Sequence, residues 1–141
     1  MKPIPEPENA PVLRTDFSDQ MAWEQIKAEI LKPVGIFRFL ANVEFIDDID
    51  FTTLAKDQLL EILPTHYKHS FLIVVDRTAI SHPEHPLLII DLFDRSGYEF
   101  RAVPGQIQGI ENNLSIANMD FEEFADFVDD DGIFRGFPEE S

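Results

Sequence analysis

The stretch SFLIVVDRTA, Ser70–Ala79, decides the fold. Phe71 to Val75 is an unbroken apolar run. A strand with one face in water alternates apolar and polar side chains, whereas a strand covered on both faces need not. The run therefore predicts a strand with packed layers above and below it. PLLIIDLF, Pro86–Phe93, repeats the pattern, and YEFRAV, Tyr98–Val103, returns as an alternating strand. Between them DRSG, Asp94–Gly97, has turn chemistry, with Gly97 suited to a positive φ, so the pair reads as an antiparallel hairpin.

Towards the N-terminus, strands and helices alternate. PVLRTDF, Pro11–Phe17, reads as a strand. SDQMAWEQIKAEILKP, Ser18–Pro33, reads as a helix with Ser18 as N-cap, Asp19 in its first turn and Pro33 as its stop. Trp23, Ile26 and Ile30 make its inward stripe. A second strand is expected near Ala41 to Ile46. Thr52–Pro64 then reads as a helix capped by Thr52 or Thr53, with Ala55, Leu59, Ile62 and Leu63 facing inward. Residues 105–117 are ambiguous: Ile107, Ile110 and Leu114 have helical spacing, but Gly109 and the Asn pair oppose it. The order β-α-β-α-β-β-β-α predicts an α/β fold, a mixed and partly parallel sheet of about five strands with helices packed on it. Residues 1–11, with four prolines, read as an extended N-terminal tail, and residues 12–141 as a single α/β domain.

Composition narrows the function classes. The absence of Cys excludes disulfides, thiolate metal sites and a Cys nucleophile. No apolar run reaches signal-peptide or membrane-helix length, so a soluble cytoplasmic protein is expected. The net charge of −16 repels nucleic acid and anionic membranes and favours a basic protein as partner. Thirteen Phe predict a ring-packed interior.

Acidic residues concentrate in NMDFEEFADFVDDDGIFRGF, Asn118–Phe137. Placing Gly132 at the glycine of a calcium-binding EF-hand loop puts Asp129 and Asp131 at ligand positions, but also puts Phe127 first and Pro138 last. Neither side chain offers oxygen, so this is not an EF-hand. The periodicity of Phe121, Phe124, Ala125 and Val128 predicts a helix capped by Asn118 and ended by Gly132. That helix leaves Asp129, Asp130 and Asp131 at its C-terminal end, where the dipole disfavours negative charge. From Glu111 to Ser141 there are ten acidic residues and one basic, a local charge of 10 − 1 = 9 negative. Asp120, Glu122, Glu123, Asp126, Asp129, Asp130 and Asp131 form a candidate acidic interaction patch for a basic partner.

A second candidate is a strand-end pocket of Arg14, Asp16, Asp76, Arg77, Asp91 and Arg101. Ligand crevices of parallel sheets lie at strand C-terminal ends, and clustered carboxylates there hold Mg²⁺ for phosphoryl chemistry. Asp91 leaves that cluster if its strand runs the other way, and the arginines offer ordinary ion-pair partners. The histidines fall as His66/His69 and His82/His85 on either side of the central strand, which opposes one shared metal site. Nucleophile-elbow, phosphate-loop, dinucleotide and HExxH motifs are absent.

At RTDFSD, FLIVVDRTA, HPLLIIDL, FRAVP and ENNLSIANMDFEEFADFVDDDGIFRGF the chain resembles a bacterial family of small α/β proteins of unknown function, common in actinobacteria. The resemblance covers about Val12 to Phe137. It implies one domain and supplies no catalytic residue. The expected function is that of an acidic binding protein, an inhibitor or immunity-type partner of a basic protein, with no cofactor and no metal. The alternative is a Mg²⁺-dependent enzyme acting on a phosphorylated small molecule through Asp16, Asp76 and Asp91.

Overall fold

The computed structural model describes residues 2–93 and 97–138. Its elements are β1 (Ala10–Arg14), α1 (Gln20–Leu31), β2 (Val43–Ile46), α2 (Lys56–Glu61), β3 (Phe71–Val75), α3 (Arg77–Ser81), β4 (Leu87–Asp91), β5 (Glu99–Ala102), α4 (Ile107–Ser115), α5 (Phe121–Ala125) and β6 (Ile133–Phe134). The strands form one six-stranded sheet in the order β2-β1-β3-β4-β5-β6. β1 runs parallel to β2 and β3, β4 is antiparallel to β3 and β5, and β6 is parallel to β5. The fold is mixed α/β, as expected, with one strand more.

The unbroken apolar run of β3 has the predicted cause. Phe71, Ile73 and Val75 point into one core, with Trp23, Ile26 and Ile30 of α1 and Ile107 and Ile110 of α4. Leu72 and Val74 point into the other, with Ile4, Phe51 and Leu59. Both faces are therefore dry.

Several local expectations change. The cap of α1 is Asp19, which accepts from the Ala22 N–H at 3.0 Å, while Ser18 donates to Asp16. α2 starts later than the Thr residues suggest: Gln58 Oε1 accepts from the Ala55 N–H at 2.9 Å, closing the N-terminal turn. The strand within SFLIVVDRTA stops at Val75, because Asp76 caps α3 by accepting from the Ala79 N–H. The connection through α3 is short for a parallel crossover, and β4 turns back antiparallel to β3. Residues 107–115 are helical despite Gly109. The β4–β5 hairpin is present and Gly97 has φ 92°, while the rest of the DRSG turn lies outside the described residues.

The acidic C-terminal stretch departs furthest from its reading. α5 ends at Ala125, and Asp120, not Asn118, precedes it, with Glu123 Oε1 accepting from the Asp120 N–H. Asp129 to Gly132 form a turn closed by the Gly132 N–H on the Asp129 carbonyl at 2.8 Å, which feeds β6. Asp129 and Asp131 are clamped by Arg135, both at 2.7 Å. The conflict with a helix dipole disappears because no helix ends there. Phe100, Phe121, Phe124 and Phe134 pack ring on ring beneath, but Phe37, Phe39, Phe93, Phe127 and Phe137 are exposed, so the rings are not all interior.

The N-terminal segment is extended and anchored. Ile4 is 1% exposed, its N–H donates to the Ile62 carbonyl at 3.1 Å, and β1 begins at Ala10. Tyr67 donates its hydroxyl to the Pro5 carbonyl, and the Lys68 N–H donates to Glu6. Burial first, then the Glu6 charge, raise the Tyr67 phenol above its ordinary range and keep it a donor.

Candidate functional site

The strand directions sort the acidic residues between two edges of the sheet. At the edge where β1, β2, β3 and β5 end, Asp76 and Arg14 each find an opposite charge. Asp76 takes Arg101 through both carboxylate oxygens, at 2.7 and 3.0 Å. The buried Arg14 guanidinium lies 4.3 Å from the Phe17 ring centroid and 5.0 Å from that of Trp23. It donates to the Asp16 carbonyl, to Gln20 and to Asp47. Asp16 itself accepts from the Ser18 N–H at 3.0 Å. Arg77 is exposed on α3. Arg14, Asp16, Asp76 and Arg101 are thus engaged in structural pairings, each ion-paired or hydrogen-bonded.

Asp91 does not join them. It pairs in register with Phe71, the first residue of β3, whereas Asp76 follows the last. Five strand residues separate the two by about 16 Å. The proposed strand-end pocket of Asp16, Asp76 and Asp91 is therefore not assembled, because β4 runs the other way. The histidines separate in the same manner. His69 contacts the Pro7 carbonyl before β3, and His85 contacts the Ala79 carbonyl beyond it. Among the described residues no group of three His, Asp or Glu side chains is placed to hold a metal ion.

The opposite edge carries a cavity of about 780 Å³. Its floor is the start of β1 and β3 and the end of β4; its wall is α4 and the loop into α5. Leu114, Ile116, Met119 and Phe121 give it an apolar side. Asp91 and Glu111, 2% and 3% exposed, give it buried carboxylates, and Glu8 and Asp120 stand at its exposed rim. Lys68 also lines it and pairs with Glu8 at 3.4 Å. Glu111 is held in place: one oxygen accepts from the Asn42 N–H at 2.7 Å and the other from the Ser115 hydroxyl at 2.8 Å. Asp91 Oδ1 accepts from the Phe93 N–H at 2.9 Å.

Glu111 was not among the residues singled out from sequence, yet a signal was there. Ile107, Ile110, Glu111 and Leu114 follow i, i+3, i+4, i+7, which puts a carboxylate on the apolar stripe of α4. An acid on a buried stripe needs partners, and here they come from the loop before β2 and from the next turn of the same helix.

The acidic patch named from sequence continues outward from this cavity. Asp120 lies on the cavity lining, and Glu123, Asp126, Asp129, Asp130 and Asp131 are exposed along α5 and the turn after it. Arg135 clamps Asp129, Asp131 and Glu84. Its guanidinium lowers the Glu84 and Asp131 carboxyls from their ordinary values.

A domain family of unknown function, DUF6924, matches residues 9–137. The chain belongs to the DUF6924 family. The match begins just before β1 and ends just after β6, so the DUF6924 domain contains every strand and helix described here. No curated protein matches the chain. Among the described residues no helix is long and apolar enough to cross a membrane.

Proposed function

We propose that this DUF6924 domain is a binding module for a basic protein, an inhibitor or immunity-type partner acting in the bacterial cytoplasm. The observation that supports this reading is the cavity at the N-terminal edge of β1 and β3. Its apolar wall, its buried Glu111 carboxylate and the acids at its rim, Glu8 and Asp120, suit one kind of guest: a lysine or arginine side chain, with an apolar stem and a cationic head. A charge pair withdrawn from water interacts several-fold more strongly than one on the surface. The exposed acids of α5 and the following turn would raise the encounter rate with a basic surface, and the cavity would fix one of its side chains.

The test is fluorescence anisotropy with a labelled peptide of alternating leucine and arginine, against the same peptide with citrulline for arginine. Binding is expected for the cationic peptide alone. Glu111→Gln keeps an acceptor for the Asn42 N–H and should weaken binding about ten-fold, the effect of removing roughly 1.4 kcal/mol. Equal binding of the citrulline peptide, or indifference to the Glu111 substitution, would refute the reading. A rise in melting temperature at millimolar Mg²⁺ would point instead to the metal-dependent alternative.

A further inference from the structure

One apolar feature is not absorbed by the cavity or the core. Between α1 and β2 the chain makes a small hairpin, in which Val34 and Phe39 exchange backbone hydrogen bonds at 2.8 and 2.9 Å. Gly35 and Arg38 take positive φ, 74° and 54°, to turn the chain. Ile36 is 91% exposed, Phe37 75%, and Phe39 and Leu40 55% each. The Phe37 and Phe39 rings touch one another, 5.9 Å between centroids, and remain in water. Four large apolar side chains clustered on one convex tip mark a contact surface.

The charge of the tip is the reverse of the rest of the chain. From Ile30 to Val43 the charged residues are Lys32 and Arg38, with no acid, in a chain of net charge −16. The tip is thus apolar and cationic. The cavity is apolar and anionic, about 780 Å³ in volume, with Ile116 69% exposed at its mouth. The two are complementary in both respects. None of residues 34–40 lines the cavity of its own chain, yet Asn42, just beyond the hairpin, does. The chain segment that carries the tip therefore reaches the cavity wall at Asn42, two residues beyond Leu40. Because one chain carries both surfaces, two copies can exchange tips reciprocally, each contact being the two-fold image of the other, and such an arrangement closes as a dimer.

We propose that, when no other partner is bound, the hairpin of residues 34–39 of a second copy of this chain occupies the cavity, in a reciprocal two-fold dimer. This rests on the reading of the cavity as a receptor for an apolar-cationic group. It adds that the protein carries such a group itself and that a basic partner must displace it.

Sedimentation velocity from low micromolar to sub-millimolar protein tests the exchange. The wild type should move from monomer, 16.2 kDa, to dimer. Phe37→Ser combined with Arg38→Glu alters only exposed side chains on the tip, and Ile116→Arg alters only the cavity mouth. Each variant should keep the wild-type melting temperature and weaken dimerisation by about ten-fold or more. Mixing the two variants should restore dimers in part, since each mixed pair keeps one intact tip and one intact cavity. The cationic peptide should dissociate the wild-type dimer. A wild type that stays monomeric throughout overturns the exchange, as does a dimer that survives either variant. A monomeric wild type that still takes the peptide overturns the exchange alone and leaves the cavity reading standing. Binding to phosphatidylcholine vesicles by a tip that forms no dimer would also overturn it and assign the tip to a membrane.

Discussion

Ile4 offers the sharpest test of the architecture, because sequence and structure describe its segment differently. As part of an extended tail outside the domain, Ile4 would contribute nothing to stability. In the fold it is 1% exposed and packs in the core that holds Leu13, Phe51, Leu59 and Leu72. Ile4→Ala removes three carbon groups from that core. At about 0.8 kcal/mol each, the transfer loss is about 2.4 kcal/mol. The void left behind adds to it, and buried Ile→Ala changes span about 2–5 kcal/mol. Chain position sets a ceiling, since the N-terminal segment can detach locally before the domain unfolds. The Ile4–Ile62, Tyr67–Pro5 and Lys68–Glu6 hydrogen bonds oppose that detachment. The expected loss is therefore about 2–3 kcal/mol, or a fall of about 6–10 °C in melting temperature for a chain of this size. Urea unfolding gives the free energy, and hydrogen exchange at Tyr67 and Lys68 tells local detachment from global loss. A loss below about 0.5 kcal/mol, the level of an ordinary surface substitution, would refute the docking of the segment.

Two further outcomes follow from the charged edge of the sheet. Arg101→Met leaves Asp76 half-paired, still capping α3 but without its bidentate guanidinium. The pair is about a quarter exposed on each side, so solvent screening holds the expected cost to about 1 kcal/mol, and a double-mutant cycle with Asp76→Asn isolates the coupling. Arg135 lowers Glu84 and Asp131 from their ordinary values near 4.5 and 3.8. Depressed carboxyls contribute stability above their unfolded values and lose it as pH falls through the folded ones. Arg135→Met should therefore reduce stability at neutral pH and flatten its fall below pH 4.5, with little difference at the acid extreme, as read from melting temperature across the acid range.

Much of the fold was legible because it is locally encoded. Phe71–Val75 announced a doubly covered strand, Trp23, Ile26 and Ile30 a helix face, and the residues around Gly97 a hairpin, each through side-chain periodicity within a few residues. The caps of α1 and α5 were legible in kind but displaced by one and two positions: Ser18, Asp19, Asn118 and Asp120 are all competent residues, and the choice among them depends on which backbone N–H is left unpaired. β6 was missed because two residues carry no period. It exists only because β5 offers an open edge beside Gly132.

The site lay further out of reach. Sequence alone determined the charge of the chain, the acid on the apolar stripe of α4, and an acid-free apolar segment at residues 30–43. Only the tertiary structure decided where these meet. The direction of β4 takes Asp91 away from Asp76 and puts it on the lining of the cavity that Glu111 also lines, and the sheet order brings the loop before β2 against α4 through the Asn42 N–H. Strand direction and strand order are settled by pairings between residues distant in the chain. No local pattern of side chains records which end of the sheet a carboxylate will reach.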